Sequence, residues 1–170
     1  MKKTIYLTLI AACMSVAAMA QTGGGSTKTP YLSIGVEGAL PAQANTGLSF
    51  GLGGSAKFDF PVAENLYVTA SGGFVSFFPK QELKDLGIKN ANYVPLKAGA
   101  KYFFSPMFYG AAELGAALSV DQGGGTAFAY SPGIGVLLGE NIDAGVRYEG
   151  WSNNGSFNQV ALRLAYRLPL

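Results

Sequence analysis

The sequence predicts an all-β chain, an eight-stranded antiparallel up-and-down transmembrane β-barrel that follows a cleaved leader. Three observations predict it. Hydrophobic types make up 49% of the 170 residues and charged types only 13%, against about 25% charged in ordinary soluble domains. Apolar and small or polar residues alternate in eight successive windows after Tyr31, the period of a strand with two different faces. Finally, the charges in those windows share one parity.

The first twenty residues read as a secretory signal. Lys2 and Lys3 precede an apolar run from Ile5 to Ala18, and Ala18-Met19-Ala20 has the small-residue form cut by signal peptidase. Residues 21–30, beginning Gln21-Thr22-Gly23-Gly24-Gly25-Ser26, read as a flexible segment, and 31–170 as the barrel. A second reading makes Ile10-Ala11-Ala12-Cys13 a lipoprotein box with Cys13 lipidated, but the apolar stretch and a better cleavage site both continue beyond it. Cleavage after Ala20 removes two lysines, so the net charge falls from +2 to zero. That neutrality argues against a nucleic-acid partner.

The windows lie at 31–40, 48–60, 66–77, 93–104, 108–120, 127–138, 142–151 and 158–168. Turn-forming clusters such as Pro61-Val62-Ala63-Glu64-Asn65, Ser105-Pro106-Met107 and Gly139-Glu140-Asn141 separate them. The stretch from Pro79 to Asn92 is longer and charged, and its Gln81–Leu86 is expected to make one or two helical turns at most. Pro132 falls mid-window and cannot donate a ladder hydrogen bond, so a bulge is expected there; Pro95 poses the problem more mildly.

Eleven charged residues fall inside the windows, and every one is odd-numbered: Glu37, Lys57, Asp59, Lys97, Lys101, Glu113, Asp143, Arg147, Glu149, Arg163 and Arg167. Chance would split them so roughly once in a thousand, whereas a two-residue period does it necessarily. The even face is apolar, from Leu32, Ile34 and Val36 to Val160, Leu162 and Leu164. The rest of the odd face is mostly small, with Gly35, Gly51, Gly53, Gly73, Gly99, Gly115 and Gly145 among it. Small residues suit a crowded lumen, so the even face is assigned to lipid. The opposite assignment gives a secreted, soluble lipocalin-like barrel whose apolar lumen binds small apolar molecules.

Aromatic placement agrees with the lipid assignment. Phe58, Phe60, Phe104, Phe108 and Tyr166 fall near one end of their strands, and Phe50, Phe74, Phe128, Tyr130 and Tyr148 near the other, as expected of the girdles at two membrane interfaces. Short connections alternate with longer ones, which puts both termini on the periplasmic side.

With its leader, its eight amphipathic strands and the closing Gln159-Val160-Ala161-Leu162-Arg163-Leu164-Ala165-Tyr166-Arg167-Leu168, the chain resembles the small outer-membrane barrels of the OmpA and OmpX type over nearly all its mature length. The resemblance implies a bacterial outer membrane as location, membrane lipid as surroundings and the barrel-assembly machinery as partner during biogenesis. It also implies that Leu162, Leu164, Tyr166, Leu168 and Leu170 carry the assembly signal. Family members usually end in phenylalanine, where this chain has Leu170. No peptidoglycan-binding domain follows the barrel, so cell-wall tethering is not implied.

The lumen of eight strands is just wide enough to be filled by side chains. Six cationic and five anionic residues are therefore expected to form structural ion pairs, since an unpaired buried charge is costly. Glu113 is expected to pair with Lys97 or Lys101 across the Ser105 turn, and Asp143, Arg147, Glu149 and Arg163 to cluster across the last two strands. There is no histidine and one cysteine, which removes a disulfide framework, a Ser-His-Asp triad and an imidazole metal ligand. No cofactor is indicated. The residues thus point to a non-catalytic membrane barrel with a structural or surface-interaction role; a minimal diffusion pore is the main alternative, and a histidine-free lipid-modifying enzyme is a further rival.

Overall fold

The computed structural model describes residues 29–43, 46–121, 123–153 and 155–170. The expected leader, its cleavage after Ala20 and Cys13 lie outside these residues. Eight strands follow one another: β1 (Tyr31–Pro41), β2 (Leu48–Pro61), β3 (Leu66–Pro79), β4 (Ala91–Phe103), β5 (Phe108–Ser119), β6 (Thr126–Leu138), β7 (Ile142–Ser152) and β8 (Ser156–Pro169). Each pairs antiparallel with its sequence neighbours, and β1 pairs with β8 from Tyr31↔Pro169 to Pro41↔Gln159, closing an eight-stranded barrel. Every strand is 11 residues or longer, enough for a tilted strand to cross a bilayer.

Parity is kept all the way round the barrel. The innermost pairs at the short turns are Pro61↔Tyr67, Phe103↔Tyr109 and Leu138↔Ile142, each joining odd to odd or even to even. The sole irregularity among the paired residues is a register shift between Leu48 and Phe50, at the outer end of β2. Because the register never slips within the barrel wall, the two faces stay separate. Leu162 is 61% exposed while Arg163 beside it is 7% exposed.

The bulge expected at Pro132 is absent. Pro132 stays in register with Ala112 of β5, while the ladder to β7 is interrupted between Tyr130↔Gly150 and Gly133↔Arg147. Pro95 behaves alike, paired with Ala117 of β5 while the β3–β4 ladder skips from Gly72↔Leu96 to Val75↔Tyr93. A bulge would have moved Ile134 and Leu138 into the lumen. A one-sided gap loses ladder bonds but keeps the faces, and the apolar face decides.

Three short turns, at 62–65, 104–107 and 139–141, lie at one end with both described termini; the other four connections form the loop end. The β7–β8 connection is as short as the turns, because the two strands pair out to Ser152↔Ser156. In the β3–β4 loop a single helical turn, α1 (Gln81–Lys84), forms. Gly87 ends it at φ 78, with its N–H on Lys84 O at 2.9 Å and the Ile88 N–H on Leu83 O at 3.1 Å, the pattern of a Schellman stop, where glycine is favoured.

Candidate functional site: the lumen and the loop end

The odd-numbered side chains fill the lumen in three layers. Toward the loop end lies an apolar cap in which Phe77 is fully buried and Trp151 4% exposed. Their rings meet edge to face at 5.8 Å, and Phe157 and Tyr93 close on them at 5.3 Å from Phe77 and 4.7 Å from Trp151. A second cap, of Phe103, Tyr109 and Leu137 with Tyr67 packed against it, sits toward the short turns. The sequence reading passed over these aromatics, although their odd numbers were the signal that would have placed them inside with the charges.

Between the caps lies the ionic layer. Lys57 Nζ is 3.1 Å from Glu113, whose Oε1 also accepts from Thr69 at 3.1 Å. Lys97 lies 2.9 Å from Glu149, and Lys101 sits between Asp59 at 2.6 Å and Asp143 at 3.1 Å. Arg147 bridges Glu37 at 2.6 Å and Glu149 at 2.7 Å, while Arg163 reaches Glu37 at 3.6 Å. Ser55, Ser33, the Tyr109 hydroxyl and the Trp151 indole N–H donate to or accept from this layer.

Two expectations about the pairs need correction. Glu113 is opposite Gly99 and diagonal to Lys97 and Lys101, yet its ionic partner is Lys57 of β2, across the lumen. Of the second expected cluster only Arg147 and Glu149 touch, because Asp143 turns to Lys101 and Arg163 to Glu37. Adjacent-strand reasoning fails because the bore is so narrow that long side chains from non-adjacent strands meet at its axis.

The backbone register explains how such a layer fits. Glu37 faces Gly53, Lys97 faces Gly115, Glu113 faces Gly99, Arg147 faces Gly133 and Arg163 faces Gly145. With no side chain opposite it on one of its two neighbouring strands, a long charged chain has room to lean inward. Arg167 stands apart from the pairs. Its guanidinium stacks on the Tyr31 ring at 3.4 Å, its Nε lacks a hydrogen-bond partner, and it forms no salt bridge among the described residues.

On the outer wall the aromatic residues read as girdles are exposed, Phe60 being half-buried, with Phe58 and Phe60, Phe104 and Phe108, and Tyr130 and Tyr148 stacked or tilted together. Leu162, Leu164, Tyr166, Leu168 and Leu170 are all on the outside. A concavity of about 700 Å³ lies over Gly110, Ala112 and Pro132, rimmed by Tyr102, Phe104 and Tyr148, and it opens outward. No helix among the described residues is long and apolar enough to cross a membrane, and none is needed, since a closed sheet satisfies its own backbone. Among the described residues no group of three His, Cys, Asp or Glu could hold a metal.

An apolar outer wall around an ionic lumen is the reverse of a soluble carrier, and it decides the class. The fold is that of the small outer-membrane barrels. Ail, the attachment invasion locus protein of Yersinia pestis, superimposes with a TM-score of 0.59 at 17% identity, over 84% of this chain and 100% of Ail. Another structure of Ail holds the heparin analogue sucrose octasulfate. Neisserial surface protein A gives 0.58 at 15% identity, over 86% of this chain and 100% of its own. A de novo designed transmembrane β-barrel gives 0.56 at 15% identity, over 85% and 100%. No family profile and no curated protein matches the sequence. The apolar belt and the fold together put this barrel in a bacterial outer membrane.

Proposed function

We propose that the chain is a non-catalytic barrel of a Gram-negative outer membrane, exported by its leader and inserted by the barrel-assembly machinery, with a structural or surface-interaction role. The observation that carries this reading is the filling of the lumen. An aromatic cap, seven salt bridges and a second aromatic cap follow one another along the axis, which supports this reading over a diffusion pore. In planar bilayers the purified protein is expected to give no steady conductance. Regular unitary steps would overturn the reading in favour of a pore, and altered lipid A or phospholipid after overexpression would overturn it in favour of an enzyme.

The loop end, taken as extracellular, is the working face. Its connections are tied together: Lys80 N–H donates to Gly47 O at 2.9 Å, and Asn92 donates from its backbone and side chain to Asp121 at 2.9 and 3.0 Å. Among the described loop residues Lys80, Lys84 and Lys89 are balanced by Glu82, Asp85 and Asp121. A sulfated polyanion such as the ligand of Ail would meet no net positive field here. Leu86 (75% exposed), Ile88 and Val120 instead offer apolar contact, so a neutral, apolar partner surface suits this end better.

A further inference from the structure

We propose that the lumen holds a small monatomic anion, chloride under ordinary conditions, in a cavity of about 30 Å³ bounded by Lys57, Arg147, Arg163, Glu113, Ser131 and Tyr109. A water needs roughly 10–15 Å³, so the cavity has room for about two or three waters or for a single halide. Ser131 is 3% exposed, and its Oγ has no hydrogen-bond partner. Buried hydroxyls are nearly always paired, so this O–H is available to an occupant of the cavity, to which it can donate.

Charge selects the anion over water. Lys57, Arg147 and Arg163 line the cavity against one carboxylate, Glu113, which is already held by Lys57 and Thr69. Through their ion pairs these residues join Lys97, Glu37 and Glu149, giving four cations (Lys57, Lys97, Arg147, Arg163) to three carboxylates (Glu37, Glu113, Glu149). The compensating negative excess, Asp59 and Asp143 around Lys101, lies beyond the cavity wall and is joined to it through the Tyr109 hydroxyl, which donates to Asp143. Glu113 is the one ionic partner of the Lys57 ammonium among the described residues, so N–H donors remain for a ligand. Three cations against one carboxylate at the wall favour an anion over a neutral water at this point, with Ser131 as the hydroxyl donor beside it.

The test is anomalous diffraction from crystals of the detergent-folded protein grown in sodium bromide. A bromine peak is expected among Ser131 Oγ, Lys57 Nζ and Arg163, weakened in Ser131→Ala and gone in Lys57→Gln. Water density without an anomalous signal overturns the proposal. A second readout stands if the lysine variant fails to fold. Replacing gluconate, too large to enter, by chloride at constant ionic strength should raise the unfolding temperature by about 2 °C or more, and this rise should be smaller in Ser131→Ala. Equal transitions in the two salts overturn the proposal as well.

Discussion

Lys101 of β4 and Asp59 of β2 meet across the lumen at 2.6 Å, both almost completely buried, with Asp143 of β7 completing the triad at 3.1 Å. One ammonium thus holds two carboxylates that would otherwise face each other. Lys101→Met is expected to lower stability by about 3–5 kcal/mol, because it leaves buried carboxylates without their cation. Urea unfolding in lipid vesicles measures this, and adding Asp143→Asn to the same chain should recover part of the loss. A single mutant as stable as the parent would contradict the triad's role.

The glycines facing the charges make a second expectation. A Cβ at Gly99 would fall 2.0 Å from the Ala112 carbonyl oxygen, a backbone atom that cannot swing aside. Gly99→Ala should destabilise the barrel by about 1–3 kcal/mol, whereas alanine at Gly54, where the nearest neighbour lies at 3.4 Å, should be tolerated far better. Heat-modifiability on gels compares the two.

A third expectation concerns the wall. Leu162 faces outward near the middle of β8, so Leu162→Lys should cost about 2–4 kcal/mol in a bilayer. In a water-soluble barrel the same change would be nearly neutral, so unfolding in vesicles separates the two environments.

Strand number and the separation of two faces were legible in the sequence because both rest on a period of two: Lys97, Arg147 and Arg163 fixed one face, Leu96 and Leu162 the other. Which face turns outward came from the small residues, such as Gly99 and Gly115, that share the charged face, and closure from the need to pair every strand edge in lipid. The pairing of Lys57 with Glu113 was not legible, since residues 56 apart in sequence meet only through the curvature of the whole sheet. The partner of a lumenal charge is set by bore width and side-chain length, neither of which shows in local spacing. Pro132 misled for a related reason. Local rules favour a bulge, but the whole apolar face beyond it would have been inverted.

A fourth expectation lies in the loops. The backbone and side-chain N–H groups of Asn92 hold the exposed Asp121 carboxyl below the usual aspartate range. A depressed folded value means that the tie is fully present above the ordinary value near 3.9 and lost as pH falls through the lower one. The pH dependence of the Asn92 amide resonance in micelles should have its midpoint below that ordinary value. In Asn92→Ala the Asp121 carboxyl carbon should titrate closer to it.

The eleven-residue zip between Tyr31–Pro41 and Gln159–Pro169 joins the two ends of the sheet, and without it the barrel stays open. Until the strands most distant along the chain find each other, the nascent ribbon keeps two raw margins whose amides and carbonyls have no partners in hydrocarbon. Such margins invite a neighbouring chain to add itself. Any delay in bringing Tyr31 to Pro169 lengthens the interval in which the unfinished ribbon is vulnerable.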